Sequence, residues 1–237
     1  MAFDEIKALT FDVFGTVVDW RTSVSREAGR IGADAGIIAD WEALADRWRA
    51  GYQPSMARVR RGALPWTNFD DLHRISLVES LDDLAIAGFD DAALDALNRA
   101  WRRLDPWPDA VSGLTRLKRR FVVATLSNGN VSQLVEIAKH GNLPWDVILS
   151  AELMHHYKPD PEVYLGAAEL LSLDPAQVMM VAAHPPDLAA ARAVGFRSAF
   201  VSRTHEHGAA RVAQAPTDPD ADITATDFND LADQLAS

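Results

Sequence analysis

The spacing of hydrophobic residues changes period twice along the chain. Residues 7–13 (KALTFDV) form a short apolar run, and Gly15 follows it closely, which predicts a buried strand. Residues 21–104 then read as all-helical. The stretches WEALADRWRAGYQ (41–53) and DDAALDALNRAWRRL (90–104) place apolar side chains at helical spacing. Between them, RRGALPWTNFDDLHRISLVESL holds a Gly/Pro break and then a further helix. Pro106 and Pro108 in LDPWPDAVSGL cannot continue a helix and predict a hinge. Beyond them the short period returns, in strands at 121–127, 146–150, 178–183 and 197–202. Helices at 131–139, 161–171, 187–194 and 227–235 alternate with these strands. The Pro/Asp-rich segment 214–222 reads as a connection.

Apolar strands alternating with helices predict an α/β fold, a parallel sheet covered on both faces. The first strand is cut off from the others by the helical tract. The expected organisation is therefore a core domain of residues 1–18 and 106–237, with an inserted helical cap at 19–105. Open α/β sheets bind ligands beyond the carboxyl ends of their strands. Asp12, Ser127 and the segment AAHPPD (182–187) all fall at such ends.

Composition narrows the partners. A formal net charge of −11 argues against nucleic acid, which needs Lys and Arg to neutralise phosphates. A small anionic substrate needs only one or two local cations. The absence of Cys excludes disulfides and Cys-based metal sites. The first residues lack the pattern of a signal peptide, and no run approaches the roughly 18 apolar residues of a membrane-spanning helix. The expectation is a cytoplasmic protein without a membrane partner. A homodimer through an apolar cap face is admitted but not required.

The strand ends carry the chemistry. A lone Asp after a strand is usually a turn or capping residue, SNGN (127–130) alone a loop and N-cap, and a lone Lys158 a surface lysine. Together they offer a carboxylate, a hydroxyl with an amide, an ammonium group and a His-Pro-Pro-Asp segment. In order and spacing, DVFGT, LSNG, YKPDPEVY and VAAHPPDLAAARAVGF resemble the four signature motifs of the haloacid dehalogenase superfamily. FGTVVDW, WRAGYQ, LSNGN and YKPDPEVY resemble more narrowly its hydrolytic 2-haloacid dehalogenases. The resemblance implies a Rossmann-like core, a helical cap and Asp12 as a nucleophile that forms a covalent ester.

Phosphatases of that superfamily carry a second Asp two positions after the nucleophile, where this chain has Phe14. Their last motif has a Gly-Asp pair whose Asp helps bind Mg²⁺; here the pair is Ala182-Ala183. Magnesium needs oxygen ligands and at least one or two carboxylates, so neither a metal nor another cofactor is expected. Displacing halide from an sp³ carbon requires no protonated leaving group, only a desolvated carboxylate in line with the breaking bond. Phe14 would help exclude water there.

The resemblance also implies roles. Lys158 would hold Asp12 ionised. Thr16, Ser127 and Asn128 would position carboxylates by hydrogen bonds. Arg49 would bind the substrate carboxylate or meet the halide, and Tyr164 would reach Asp12 or Lys158. Asp187 would activate the hydrolytic water, and it also reads as the N-cap of the following helix. His184 stands where many relatives have Asn. With the Trp48 indole N–H it is a candidate donor to a departing halide, including fluoride from fluoroacetate. His155, His156, His205 and His207 read as solvated loop residues rather than metal ligands. The expected partners are a small 2-haloacid and a halide ion. A small-molecule phosphatase and a non-catalytic member of the fold are the competing functions.

Overall fold

The computed structural model describes residues 3–236, the side chains at 213 and 214 excepted. Along the chain, β1 (Ala8–Phe11) and β2 (Val18–Asp19) precede five helices. These are α1 (Trp20–Asp34), α2 (Trp41–Ala50), α3 (Tyr52–Arg60), α4 (Phe69–Asp83) and α5 (Asp91–Asn98). There follow β3 (Asp105–Pro106), α6 (Ala110–Leu117), β4 (Val122–Ser127), α7 (Val131–Gly141), β5 (Val147–Ser150) and α8 (Pro161–Leu170). The chain ends with β6 (Val178–Ala182), α9 (Pro185–Ala193), β7 (Arg197–Val201), β8 (Ile223–Ala225) and α10 (Phe228–Ala236). The residues divide into two compact units, 1–19 with 105–237, and 20–104.

The first unit is built on a six-stranded sheet in the order β5-β4-β1-β6-β7-β8, all pairs parallel. The α/β expectation holds. β1 is central, with Ala8 opposite both Val122 and Val178, and all four of its side chains are buried. A strand covered on both faces reads as a near-continuous apolar run, which is why this one lacks alternation, with Thr10 its one polar side chain, buried as well. The expected strand 7–13 is shorter as formed, although Asp12 N–H still donates to Val181 O (3.0 Å). Parallel register brings the ends of β1, β4 and β6 level, so the groups that follow each strand share one rim.

Two elements depart from the sequence-based expectation. α6 begins only two residues after Pro108, so the prolines mark a boundary and the helix resumes at once. β8 has three residues bordered by acidic loops, too few for any period to register. β2 and β3 form a small antiparallel pair where the chain leaves and re-enters the first unit.

The second unit is the helical tract. Its interior is aromatic: Trp20 stacks on Trp101 at 5.9 Å, and Trp48 meets Trp101 edge-on at 5.6 Å. His73 lies among them, 4.0 Å from the Phe69 ring and 4.5 Å from Trp101. Burial, reinforced by the Arg49 charge, holds its pKa well below the usual histidine value. No helix among the described residues is long and apolar enough to cross a membrane.

In the first unit, a Cβ on Gly113 of α6 would fall 2.3 Å from the Phe228 Cβ and 2.7 Å from its backbone carbon. Neither atom can rotate away. Gly113→Ala is expected to force α10 outward and cost about 1–3 kcal/mol in a denaturant titration, as overpacked cores do.

Candidate active site

Asp12 follows directly on β1, with only 6% of its surface exposed. Its two oxygens have different partners. Oδ1 accepts from Lys158 Nζ at 3.0 Å. Oδ2 accepts from the Thr16 hydroxyl at 2.9 Å and faces His184 Nδ1 at 3.0 Å. Thr16 is aimed by Ala183 N–H, which donates to its Oγ1 at 3.0 Å. With the oxygen's acceptor side engaged, its proton goes to Asp12. The Ala182-Ala183 pair thus contributes a backbone donor at this place.

Lys158 joins two acids, its ammonium group lying 2.5 Å from Asp187 Oδ2 as well. Asn128 Oδ1 accepts from the backbone N–H of Lys158 at 2.8 Å, so Asn128 braces the lysine rather than a carboxylate. Ser127 Oγ accepts from Gly129 N–H at 3.3 Å and so shapes the loop after β4. Tyr164 donates to Asp187 Oδ1 at 2.6 Å. Its hydroxyl is thereby engaged by Asp187, not by Asp12 or Lys158 as expected. Burial and the adjacent carboxylate raise the Tyr164 pKa far above the phenol range, so it stays a proton donor.

α9 starts earlier than expected. His184 is its N-cap residue, and Pro185 and Pro186 occupy the first turn, where a missing N–H costs nothing. Asp187 therefore lies in the first turn and is not the N-cap. The positive end of the helix favours its negative charge. Burial outweighs this and, with Asp12 nearby, raises its pKa despite the opposing Lys158. Asp12 moves the other way. Burial alone would raise its pKa, but Lys158 and His184 hold it well below the carboxylate range.

His184 Nε2 lies 3.0 Å from each oxygen of Glu206, a carboxylate only 2% exposed. Burial alone would favour neutral imidazole, yet Glu206 and Asp12 raise the His184 pKa to about 10. Both ring nitrogens are thus engaged by carboxylates, and the expected role as donor to a departing halide has no free N–H to serve it. The Trp48 indole is also engaged, donating to His73 O at 2.9 Å.

Glu206 reads in the sequence only as part of a solvated His-Glu-His loop, far from any motif, and is not assigned to the site there. Its signal is Gly15, whose φ of +89° favours glycine. A Cβ there would fall 2.2 Å from Glu206 Oε1. Arg203 was missed as well. It donates to Thr16 O at 2.8 Å and makes a bidentate pair with Asp109, 2.8 Å on each arm. Asp109 in turn accepts from Phe228 N–H at 2.8 Å. Asn130 sits at the N-cap of α7 without capping it by its side chain. Glu152 takes the Val131 N–H at 2.8 Å and the Asn130 amide at 2.9 Å. Gly129 admits Phe14, since a Cβ would lie 2.9 Å from that ring; Phe14 itself is buried at 1% exposure.

Within the second unit, the Arg49 guanidinium lies 4.2 Å over the Tyr52 ring and 5.6 Å from Trp20. Its buried Nε has no hydrogen-bond partner among the described residues. Of the loop histidines, His155 and His205 are exposed and His207 is half-buried. His156 pairs loosely with Asp160 (3.4 Å) and Glu162 (3.8 Å) at the surface.

Residues 6–195 match the model of the haloacid dehalogenase-like hydrolases. The chain is 32% identical over 207 residues to the (S)-2-haloacid dehalogenase 4A of Burkholderia cepacia, covering 84% of each chain. It is 44% identical to the defluorinating L-2-haloacid dehalogenase Rha0230, with a TM-score of 0.94 over 98% of this chain and 96% of that one. The L-2-haloacid dehalogenase from Xanthobacter autotrophicus, solved with chloropropionic acid covalently bound, is 25% identical. Its TM-score is 0.82 over 98% of this chain and 99% of that one. A match over this much of the sequence, on this sheet order and these strand-end groups, makes the chain a member of the haloacid dehalogenase-like hydrolase family.

Proposed function

We propose that this protein hydrolyses short (S)-2-haloacids to 2-hydroxy acids through an ester on Asp12, without a metal ion. The observation that carries the reading is a buried Asp12 carboxylate held between two cationic side chains, with Phe14 where a second acid would serve phosphate chemistry. A divalent cation at Asp12 would be repelled by Lys158 and His184 and would find no second carboxylate at position 14. The covalent chloropropionic acid complex of the Xanthobacter relative supports an adduct on the reaction path.

In the first step Asp12 Oδ1 attacks C2. The new C–O bond forms as the carbon–halogen bond breaks, and the halide departs with the electron pair on the far side of C2. A chiral substrate is therefore inverted. Oδ1 has the fewer donors of the two oxygens, so it keeps electron density for the attack. Lys158 keeps the group ionised at neutral pH.

In the second step water attacks Cγ of the ester. Asp187 accepts the water proton, for which its raised pKa suits it, and returns it to the departing 2-alkoxide. Asp12 then ionises and releases one proton to solvent. Lys158 and Tyr164 hold Asp187 in place without occupying every lone pair of its carboxylate.

Halide release from chloroacetate should persist undiminished in EDTA, with no turnover of phosphate esters supplemented with Mg²⁺. In a single turnover in ¹⁸O water, the glycolate should carry unlabelled oxygen taken from Asp12. Fully labelled product in that first turnover would replace the ester mechanism with direct attack by water.

Asp12→Asn should lower kcat for halide release by at least about 10⁴-fold, since the amide is no nucleophile. Its melting curve tests whether the fold is kept. Fluoroacetate should also be turned over, a reading supported by a similar structure described as defluorinating, and a fluoride electrode checks this directly.

A further inference from the structure

We propose that the cationic imidazole of His184, kept in place by Glu206, forms with the Thr16 hydroxyl an oxyanion pocket around Asp12 Oδ2 that serves hydrolysis of the ester. This rests on the two-step reading above. It gives His184 a task in the second step and makes Glu206 a positioning residue.

The geometry separates the two Asp12 oxygens. Oδ1, beside Lys158, is the oxygen that becomes bonded to substrate carbon. Oδ2 lies between Thr16 Oγ1 at 2.9 Å and His184 Nδ1 at 3.0 Å. Once Oδ1 is esterified, Asp12 has lost its charge and Oδ2 is the carbonyl oxygen. When water attacks Cγ, the π electron pair moves onto Oδ2, and the negative charge returns to the oxygen these donors already hold. When the intermediate collapses, that pair re-forms the carbonyl as the Cγ–Oδ1 bond breaks. Donors fixed where charge develops need no reorganisation during the reaction.

The ring must carry both protons for this. Carboxylates only accept, so Nδ1 facing Asp12 and Nε2 facing both oxygens of Glu206 each need a hydrogen. Lys158 retains Asp187 at 2.5 Å after Asp12 is esterified. His184 retains Glu206 in the same way. Each cation therefore keeps a counter-charge when the shared aspartate is neutralised. The place of Glu206 is built into the fold, because Gly15 leaves room for its carboxylate where any Cβ would collide.

A role for His184 at the departing halide fits less well. In-line displacement puts the leaving atom on the far side of C2 from Oδ1, whereas Nδ1 sits against Oδ2. A role as general base fits poorly too, since a ring protonated at both nitrogens has no lone pair. The titratable groups around the ring are Asp12 and Glu206 in contact, Lys158 and Asp187 beyond Asp12, and His207 at 3.9 Å from Glu206.

The test compares wild type with His184→Gln, His184→Asn and Glu206→Gln on chloroacetate, by rapid quench. Halide in the first turnover is read separately from steady-state turnover, and intact-protein mass spectrometry reads the ester. For both His184 variants the first equivalent of chloride should appear within a few-fold of the wild-type rate. Steady-state turnover should fall about 10²–10³-fold, as when an oxyanion donor is removed, while the ester accumulates. Glu206→Gln, close in volume to the original, should give a smaller loss and move the alkaline limb of steady-state turnover to lower pH. A merely structural role would not produce that shift.

An equal fall in first-turnover chloride and steady-state turnover, without ester, would overturn the proposal. So would an unmoved alkaline limb in a folded Glu206→Gln protein. If the wild-type first-turnover product in ¹⁸O water is fully labelled, the covalent reading fails instead, and the two failures remain distinct.

Discussion

The site depends on one constraint: several ionisable groups are buried together, so their charges must alternate. Asp187, Lys158, Asp12, His184 and Glu206 run in that order, each within 3.0 Å of the next. Every cation lies between two acids. Burying any of these charges alone would cost several kcal/mol. The alternation makes burial tolerable and also divides the labour. Asp12, flanked by two cations, stays firmly ionised. Asp187 shares a single cation and is left able to take up a proton. Two carboxylates on one rim thus acquire opposite aptitudes from their neighbours alone.

The sheet supplies the positions. β1, β4 and β6 run parallel and in register, so their carboxyl ends coincide and residues far apart in sequence arrive at one level. Asp12, Asn128 and His184 owe their proximity to this. Lys158 comes from the loop before α8, and the Asn128 side chain fixes its backbone. The hydroxyl of Thr16 is oriented by a backbone N–H supplied from just beyond β6. Strand order and register therefore do most of the assembly, with few side chains left to adjust.

Much of the site was legible in the sequence. Asp12 follows a strand directly, and Lys158 and Asp187 fall within recognisable motifs on the loop before α8 and the first turn of α9. The partners of these residues were less legible. Tyr164 lies on α8, and only its side-chain direction, which the sequence does not show, selects Asp187. His184 read as a donor to the halide because the sequence does not show that both its nitrogens are already engaged. Glu206 was hidden because its burial follows from a glycine almost two hundred residues earlier. Of the fold, the long helices and apolar strands were plain. α6 and β8 were not, one masked by neighbouring prolines and the other too short to show a period.

Arg203 has a wider consequence. Through Thr16 O and Asp109 it ties the turn after Asp12 to the start of α10. Both Arg203 and Glu206 lie beyond residue 195, where the family match stops. The chemistry is thus encoded in one part of the sequence and its alignment partly in another. A chimaera that grafted only the shared motifs onto a foreign tail would inherit Asp12 and Asp187 while losing the tether that holds the turn after Asp12.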